Sequence, residues 1–188
     1  MSASTTPKPL QIAPFKKRLI GFGFDYLIIS AYIIFLILVT LGLFSILGVS
    51  PGDSSLFENP IIADLISFLT LILPVILYFT FLESSSTRAT WGKRKAGVQV
   101  TNQSGGRLTK GQALIRSLIK FLPWQIAHTS LFHIEGWPMA PEDPSLAVTI
   151  GLIAVWVLVG IYFSMMVATK DGRTLYDWAS GSVVVMNR

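Results

Sequence analysis

The sequence contains no cysteine and few charged residues. Without cysteine it can form neither a disulfide framework nor a thiolate metal site. Charged residues make up 13% of the chain and hydrophobic residues 52%, whereas roughly a quarter of a soluble domain is charged. With a mean hydropathy of +0.60, a chain of 188 residues cannot cover a water-exposed surface. We therefore expect an integral membrane protein whose first partner is the lipid bilayer.

Motifs that carry enzyme or cofactor chemistry are also missing from the sequence. It has no glycine-rich phosphate loop, no nucleophile motif and no acids or histidines at metal-ligand spacing. His128 and His133 are five residues apart, too far round a helix for an i, i+4 metal pair, so packing or interfacial roles are favoured. We expect no enzyme activity, no cofactor and no metal site.

The net charge of +5 would suggest nucleic acid as a partner of a soluble protein. In a membrane protein the preference of cations for the cytoplasmic side explains the same excess more simply, so we expect no nucleic-acid partner.

Long apolar runs dominate the chain and predict an all-α polytopic membrane protein. Three runs, 19–48, 61–82 and 145–169, are long enough to cross a bilayer as helices. A fourth segment, 112–134, is ambiguous because Arg116 and Lys120 lie near its start and Pro123 interrupts it. It fits a short or broken span, and it also fits an amphipathic helix that lies flat in the interface.

The distribution of charge favours four membrane segments over three. All 15 Lys and Arg lie within residues 8–18, 88–120 and 170–188, whereas the loops at 50–60 and 135–145 carry only acids. By the positive-inside rule the cationic stretches are cytoplasmic, which requires segment 112–134 to cross. We predict a multi-pass protein of the cell inner (plasma) membrane with both termini cytoplasmic. Labelling of an Arg188→Cys variant from outside intact cells would contradict this topology.

The parts outside the apolar runs do not look helical. Residues 1–14 are polar and cationic, and we expect a mobile tail there, followed by one membrane domain over 15–188. Val98 and Val100 alternate with smaller or polar residues before a QSGG turn, which predicts a short cytoplasmic β-hairpin over 96–109. The β-branched stretch 181–187 predicts a further strand that joins this hairpin.

Asp25 lies well inside the first apolar run and is the residue most in need of explanation. An acid in a spanning helix is unfavourable unless it is paired, hydrated or protonated. Arg18 is seven residues earlier and leans toward the headgroups, so a direct bridge to it is not expected. Arg116 and Lys120 are the nearest cations by depth. Asp25 is then either part of a structural pair or a site that takes up and releases a proton.

The sequence predicts local structural roles for two residues of the second apolar run. Asp64 lies near its outer end and is expected to be a hydrated edge residue. Pro74 is expected to kink this helix and to free a backbone carbonyl, because proline lacks the amide hydrogen.

Three regions together resemble the RDD family of membrane proteins, which is named for one arginine and two aspartates. The first region is KKRLIGFGFDY, with Arg18 and Asp25 at the family positions. The central motif is TWGKRKAGVQV, followed by RLTKGQALIR, and the closing motif is GRTLYDWASGSVVV. The matched positions in these motifs are Thr90, Gly92, Lys93, Gly97, Val100, Arg116 and Asp177. One departure is that Tyr176 and Trp178 stand where the family more often has a histidine and a basic residue.

The resemblance implies a bacterial inner-membrane protein connected with transport, in some members with cation–proton exchange. We therefore predict a transporter that exchanges a monovalent cation or small solute for protons through Asp25, with Arg18, Arg116, Lys120 and Asp177 as a charge network around it. A transporter of this size is expected to work as a homo-oligomer. The alternative is a non-transporting module that binds a partner, in which the arginine and the two aspartates form a structural clamp.

Overall fold

The structure is a computed structural model that describes residues 10–50, 59–138 and 140–187. In chain order the elements are α1 (Phe15–Leu47), α2 (Pro60–Ser67), a π-helical turn (Phe68–Ile72), α3 (Leu73–Glu83), α4 (Trp91–Ala96), β1 (Val98–Asn102), α5 (Lys110–Phe132), α6 (Leu146–Ala168), α7 (Leu175–Ala179) and β2 (Ser182–Met186). Four short elements, α4, β1, α7 and β2, lie at one end of the long helices, and we call them the cap.

Three of the helical stretches are long and apolar enough to cross a membrane: Phe15–Leu47, Pro60–Glu83 and Leu146–Ala168. At about 1.5 Å per residue, the 33 residues of α1 exceed the thickness of a bilayer core, which is about 30 Å. The prediction of a mainly helical protein with three apolar helices of spanning length is therefore confirmed. The predicted fourth segment is one continuous helix, α5, and whether it crosses stays a prediction.

Pro74 disturbs the second of these helices in the way its chemistry requires. Proline cannot donate to the carbonyl four residues earlier, which here belongs to Thr70, and the helix widens into the π-turn just before Pro74. The hydroxyl of Tyr32 in α1 donates to this Thr70 carbonyl at 2.5 Å. The freed acceptor thus fastens α1 to the second helix.

Helix α5 runs antiparallel alongside the whole of α2 and α3. Its first turns contact Glu83, its middle packs Phe121 against Phe79 with ring centroids 5.0 Å apart, and Thr129 donates to Asp64 at 2.8 Å. Helix α6 packs on the other side of α5, where the Tyr162 hydroxyl donates to the Ile119 carbonyl at 2.6 Å.

The cap contains a two-stranded antiparallel sheet, and the predicted hairpin over 96–109 is wrong. Strand β1 pairs with β2 from the far end of the chain, with Val100 opposite Val184. After the turn at Gly105, the chain reaches Thr109 within a few residues, and Thr109 caps α5. No length remains for a returning strand, so β2 supplies the partner for β1.

Residues at the end of the expected tail belong to the packed structure. Ile12 forms a β-bridge with Val185, and the amide of Ala13 donates to the Val184 carbonyl at 3.0 Å. Ala13 joins the small core beneath the sheet with Val98, Val100 and other apolar residues. The ordered fold therefore begins before residue 14. Residues 1–9 lie outside the described part of the chain, as do Asp53 and Glu58 of the predicted acidic loop.

Candidate functional site

A short helix that was not expected from the sequence organises the site. The motif TWGKRK forms α4, whose first turn needs partners for amide hydrogens that no helix can satisfy internally. The amide of Lys93 donates to the side chain of Thr90 at 3.4 Å, and the amide of Trp91 donates to the hydroxyl of Tyr78 at 3.2 Å. The amide of Gly92 donates to the carboxylate of Asp25 at 2.9 Å. Asp25 therefore caps the N-terminus of α4, although Thr90 at the start of this helix lies 65 residues later in the sequence.

Asp25 is 1% exposed, and all of its partners are donors. Besides the Gly92 amide, it accepts the hydroxyl hydrogens of Tyr78 at 3.1 Å and Thr90 at 2.5 Å. The ammonium group of Lys93 lies 3.8 Å from its Oδ2. This one carboxylate therefore joins α1, α3 and α4. It also places its negative charge at the positive end of α4.

The backbones of α1 and α4 approach so closely that glycine is required at their crossing. A β-carbon on Gly92 would fall 2.6 Å from the amide nitrogen of Asp25 and 2.7 Å from its carboxyl carbon, and would also collide with the carbonyl of Gly21. A β-carbon on Gly21 would meet the side chain of Ala96 at 3.4 Å, in ordinary contact. Gly92 thus allows Asp25 to reach the helix terminus.

Glu83 joins this cluster to a second one and was not singled out from the sequence. It is 0% exposed at the end of α3, with Lys93 3.0 Å away and Arg116 2.8 Å away. Each cation is shared, because Lys93 also faces Asp25 and Arg116 also contacts Asp177. Glu83 is the only acid between Asp64 and Glu135 in a strongly cationic stretch, which is the signal that could have identified it.

Asp177 and Arg116 form the second cluster and hold the cap against α5. The Arg116 guanidinium donates to Asp177 and, at 2.8 Å, to Ser182 in β2. Asp177 also accepts from the amide of Thr174 at 3.0 Å and its hydroxyl at 2.8 Å. Burial would raise the pKa of the Asp177 carboxyl, but Arg116 and the Thr174 hydrogen bonds hold this pKa below its usual value. Removing one partner of such a buried pair typically costs about 3–5 kcal/mol.

Arg18 stabilises the cap through backbone carbonyls rather than through an aspartate side chain. It donates to the carbonyls of Ala13 at 3.2 Å, Asp171 at 3.0 Å and Val184 at 3.2 Å, and also to that of Gly172. These carbonyls belong to the segment before α1, the turn after α6, and β2. The arginine and two aspartates of the family motif therefore lie in one region without forming one direct triad.

Lys120 is the remaining cation of the predicted network. Its ammonium group lies 3.5 Å from the ring centroid of Phe79, 5.3 Å from that of Phe121 and 6.0 Å from that of Phe22. Among the residues that the structure describes, no carboxylate lies within 4.0 Å of it. The cation that lies within 4.0 Å of Asp25 is Lys93 of α4, and neither Arg116 nor Lys120, the cations considered for their depth, forms an ion pair with Asp25 among the described residues.

The remaining predicted residues have local roles. Asp64 accepts from Gln125 at 3.1 Å and from Thr129 at 2.8 Å, so it links α2 to α5. His128 and His133 each contact, through Nδ1, the backbone carbonyl four residues earlier, at 2.8 Å. Within the described ranges no group of three or more His, Asp or Glu residues could hold a metal ion.

Three apolar helices of spanning length, of which α1 and α3 are joined to the cap by buried ion pairs, define a polytopic membrane protein with a small folded cap. Residues 12–181 match the sequence model of the RDD family, which covers most of the chain. The chain belongs to the RDD family. No curated protein matches it, and no solved structure matches it.

Proposed function

We propose that this protein is a non-transporting membrane module that presents its clamped cap to a partner. The observation that carries this proposal is that the Asp25 carboxylate accepts a hydrogen bond from the first turn of α4 and so holds this helix against α1. A carboxylate surrounded by the donors of Tyr78, Thr90 and Gly92 is suited to holding helices in place. Asp25 is also absent from the side chains that line the cavity between α1, α5 and α6.

The proposed topology places the cap on the cytoplasmic face of the inner membrane, with four segments crossing and both termini inside. The antiparallel packing of α5 along the second helix supports the fourth crossing. Contacts at Glu83 and Asp64 tie α5 to both ends of a helix that is itself long enough to span. The cations of the cap agree with the positive-inside rule.

Proton-coupled cation exchange is the second candidate, and one contact favours it. Lys93 is shared between Asp25 and Glu83, at 3.8 and 3.0 Å. Protonation of one of these carboxylates would remove its attraction for Lys93, and the ammonium group would then pair with the other carboxylate. Binding of a proton would in this way move a positive charge, which is what proton-coupled exchange requires. In this case a homo-oligomer remains the expected working form.

Proteoliposomes loaded with a pH-sensitive dye separate the two candidates. The unmodified protein, Asp25→Asn and the matched control Asp64→Asn are given pulses of sodium, potassium and lithium, and their melting midpoints are measured in detergent. If the protein is a non-transporting module, we expect no cation-dependent pH change with any of the three proteins. We also expect Asp25→Asn to have a lower melting midpoint than the unmodified protein. Exchange is supported instead if the unmodified protein changes the internal pH and Asp25→Asn abolishes this change without a loss of midpoint.

A further inference from the structure

A cleft lies between α1 and the α5–α6 pair, next to the cap. Its volume is about 240 Å³, and the aromatic pairs Phe15–Phe163 and Tyr26–Trp124 bring its two sides together. Apolar side chains on its walls are themselves open to the outside of the molecule: Phe22 is 43% exposed, Trp124 42%, Val159 43% and Phe163 55%. The cleft is therefore open on the side that lipid would cover.

Positive charge is in excess at the polar end of the cleft. Four cations line it, and the carboxylates bonded to them are the lining residue Asp177 together with Asp25 and Glu83. Arg116 and Lys93 share these three carboxylates, while Arg18 donates only to carbonyls. With every group ionised, these four cations and three carboxylates leave a net charge of one positive unit. Among the residues that the structure describes, Arg18 has carbonyl partners, whereas Lys120 has neither a carbonyl nor a carboxylate partner.

The surroundings of Lys120 favour an anion as its missing partner. An ammonium group has three donors, and the rings of Phe22, Phe79 and Phe121 satisfy its charge only in part. An ammonium group in apolar surroundings either loses its proton or gains a counter-ion. A counter-ion here must be compatible with walls built from phenylalanine, tryptophan and valine.

We propose that the cleft binds one anionic phospholipid, with its phosphate on Lys120 and one acyl chain along Val159, Phe163 and Trp124. A single negative charge matches the single uncompensated positive charge. The cleft has the volume of roughly eight water molecules, which is enough for a headgroup phosphate and the start of a chain. The rest of the chain would lie in the bilayer between α1 and α6. This site is independent of whether the protein is a scaffold or an exchanger.

Native mass spectrometry of the purified protein tests this site with two lipids of equal chain length. Dioleoyl phosphatidylglycerol carries one net negative charge, whereas dioleoyl phosphatidylcholine has no net charge because its choline cation offsets its phosphate. We expect one phosphatidylglycerol to bind more tightly than phosphatidylcholine, and Lys120→Gln to weaken its binding at least about tenfold, to the level of phosphatidylcholine. Lys110→Gln removes an exposed cation from the same helix and should leave the preference intact.

Equal binding of the two lipids, or an unchanged preference in Lys120→Gln, overturns the proposal and indicates a neutral lysine. Inorganic phosphate that competes with phosphatidylglycerol at similar concentration indicates a site for a free anion and overturns the lipid assignment. If Lys120→Gln does not fold, Val159→Trp replaces it, because a larger side chain on the wall should reduce phosphatidylglycerol binding by a similar factor while Lys120 stays in place.

Discussion

Replacement of Gly92 by alanine tests the crossing of α1 and α4 without changing any charge. The added methyl group would fall 2.6 Å from the Asp25 amide nitrogen and 2.7 Å from its carboxyl carbon. The nearest obstacles are backbone atoms of α1, which cannot move aside as the end of a flexible side chain could. The two helices must separate, and the hydrogen bond from the Gly92 amide to Asp25 must lengthen from 2.9 Å or break.

The expected loss of stability has two parts. Overpacking by one methyl group in a close contact costs about 1–3 kcal/mol. Weakening a hydrogen bond to a buried charged group costs a further ~1.5–3 kcal/mol. A combined loss of roughly 2.5–6 kcal/mol corresponds to a fall in melting midpoint of roughly 5–24 °C for a domain of this size.

Thermal unfolding in detergent, followed by tryptophan fluorescence, measures the effect. Gly23→Ala is the matched control, because a β-carbon at Gly23 has no neighbour within 4 Å and alanine favours a helix by about 0.5–1 kcal/mol. The control should melt at or slightly above the unmodified protein. If Gly92→Ala melts as high as Gly23→Ala, then the close crossing and the capping role of Asp25 are wrong.

Three further predictions concern other parts of the structure. Because the folded state holds the pKa of Asp177 below its ordinary value of 3.8, its contribution to stability is complete above that value and is lost as the pH falls through the lowered one. Melting between pH 7 and pH 3 should therefore show an acid-dependent decrease that is smaller in Asp177→Asn, which is already less stable at pH 7. Tyr32→Phe should lower the free energy of unfolding by about 1 kcal/mol, because the hydrogen bond to the Thr70 carbonyl is lost. The loss should be much smaller in a Pro74→Ala background, where the restored amide can donate to that carbonyl. Equal losses in the two backgrounds would contradict this role of Tyr32. Since the chain has no cysteine, single cysteines at Lys110 and Glu142 report the path of α5: labelling of Glu142→Cys alone from outside intact cells supports four crossings, and protection of both supports three.

The main class of the protein follows from local properties of the sequence. Run length and apolar composition are enough to predict α1, the second helix and α6 as membrane helices, because a helix in lipid satisfies its own backbone hydrogen bonds. The position of Pro74 likewise identifies in advance which carbonyl is freed. These features depend on neighbours within a few residues, and a linear pattern records them.

The partners of the charged residues depended on tertiary structure. Asp25 could be recognised as needing a partner, but the choice of Lys93 and the Gly92 amide rests on a six-residue helix too short to show a periodic pattern. In the same way, β1 pairs with β2 rather than with its own neighbour, because Thr109 starts α5 before a return strand can form. The sequence determined by itself which helices are long and apolar enough to cross a membrane and which charges need compensation. Only the tertiary structure decided which groups compensate them, because each contact joins segments that are far apart in the chain and equally plausible on charge alone.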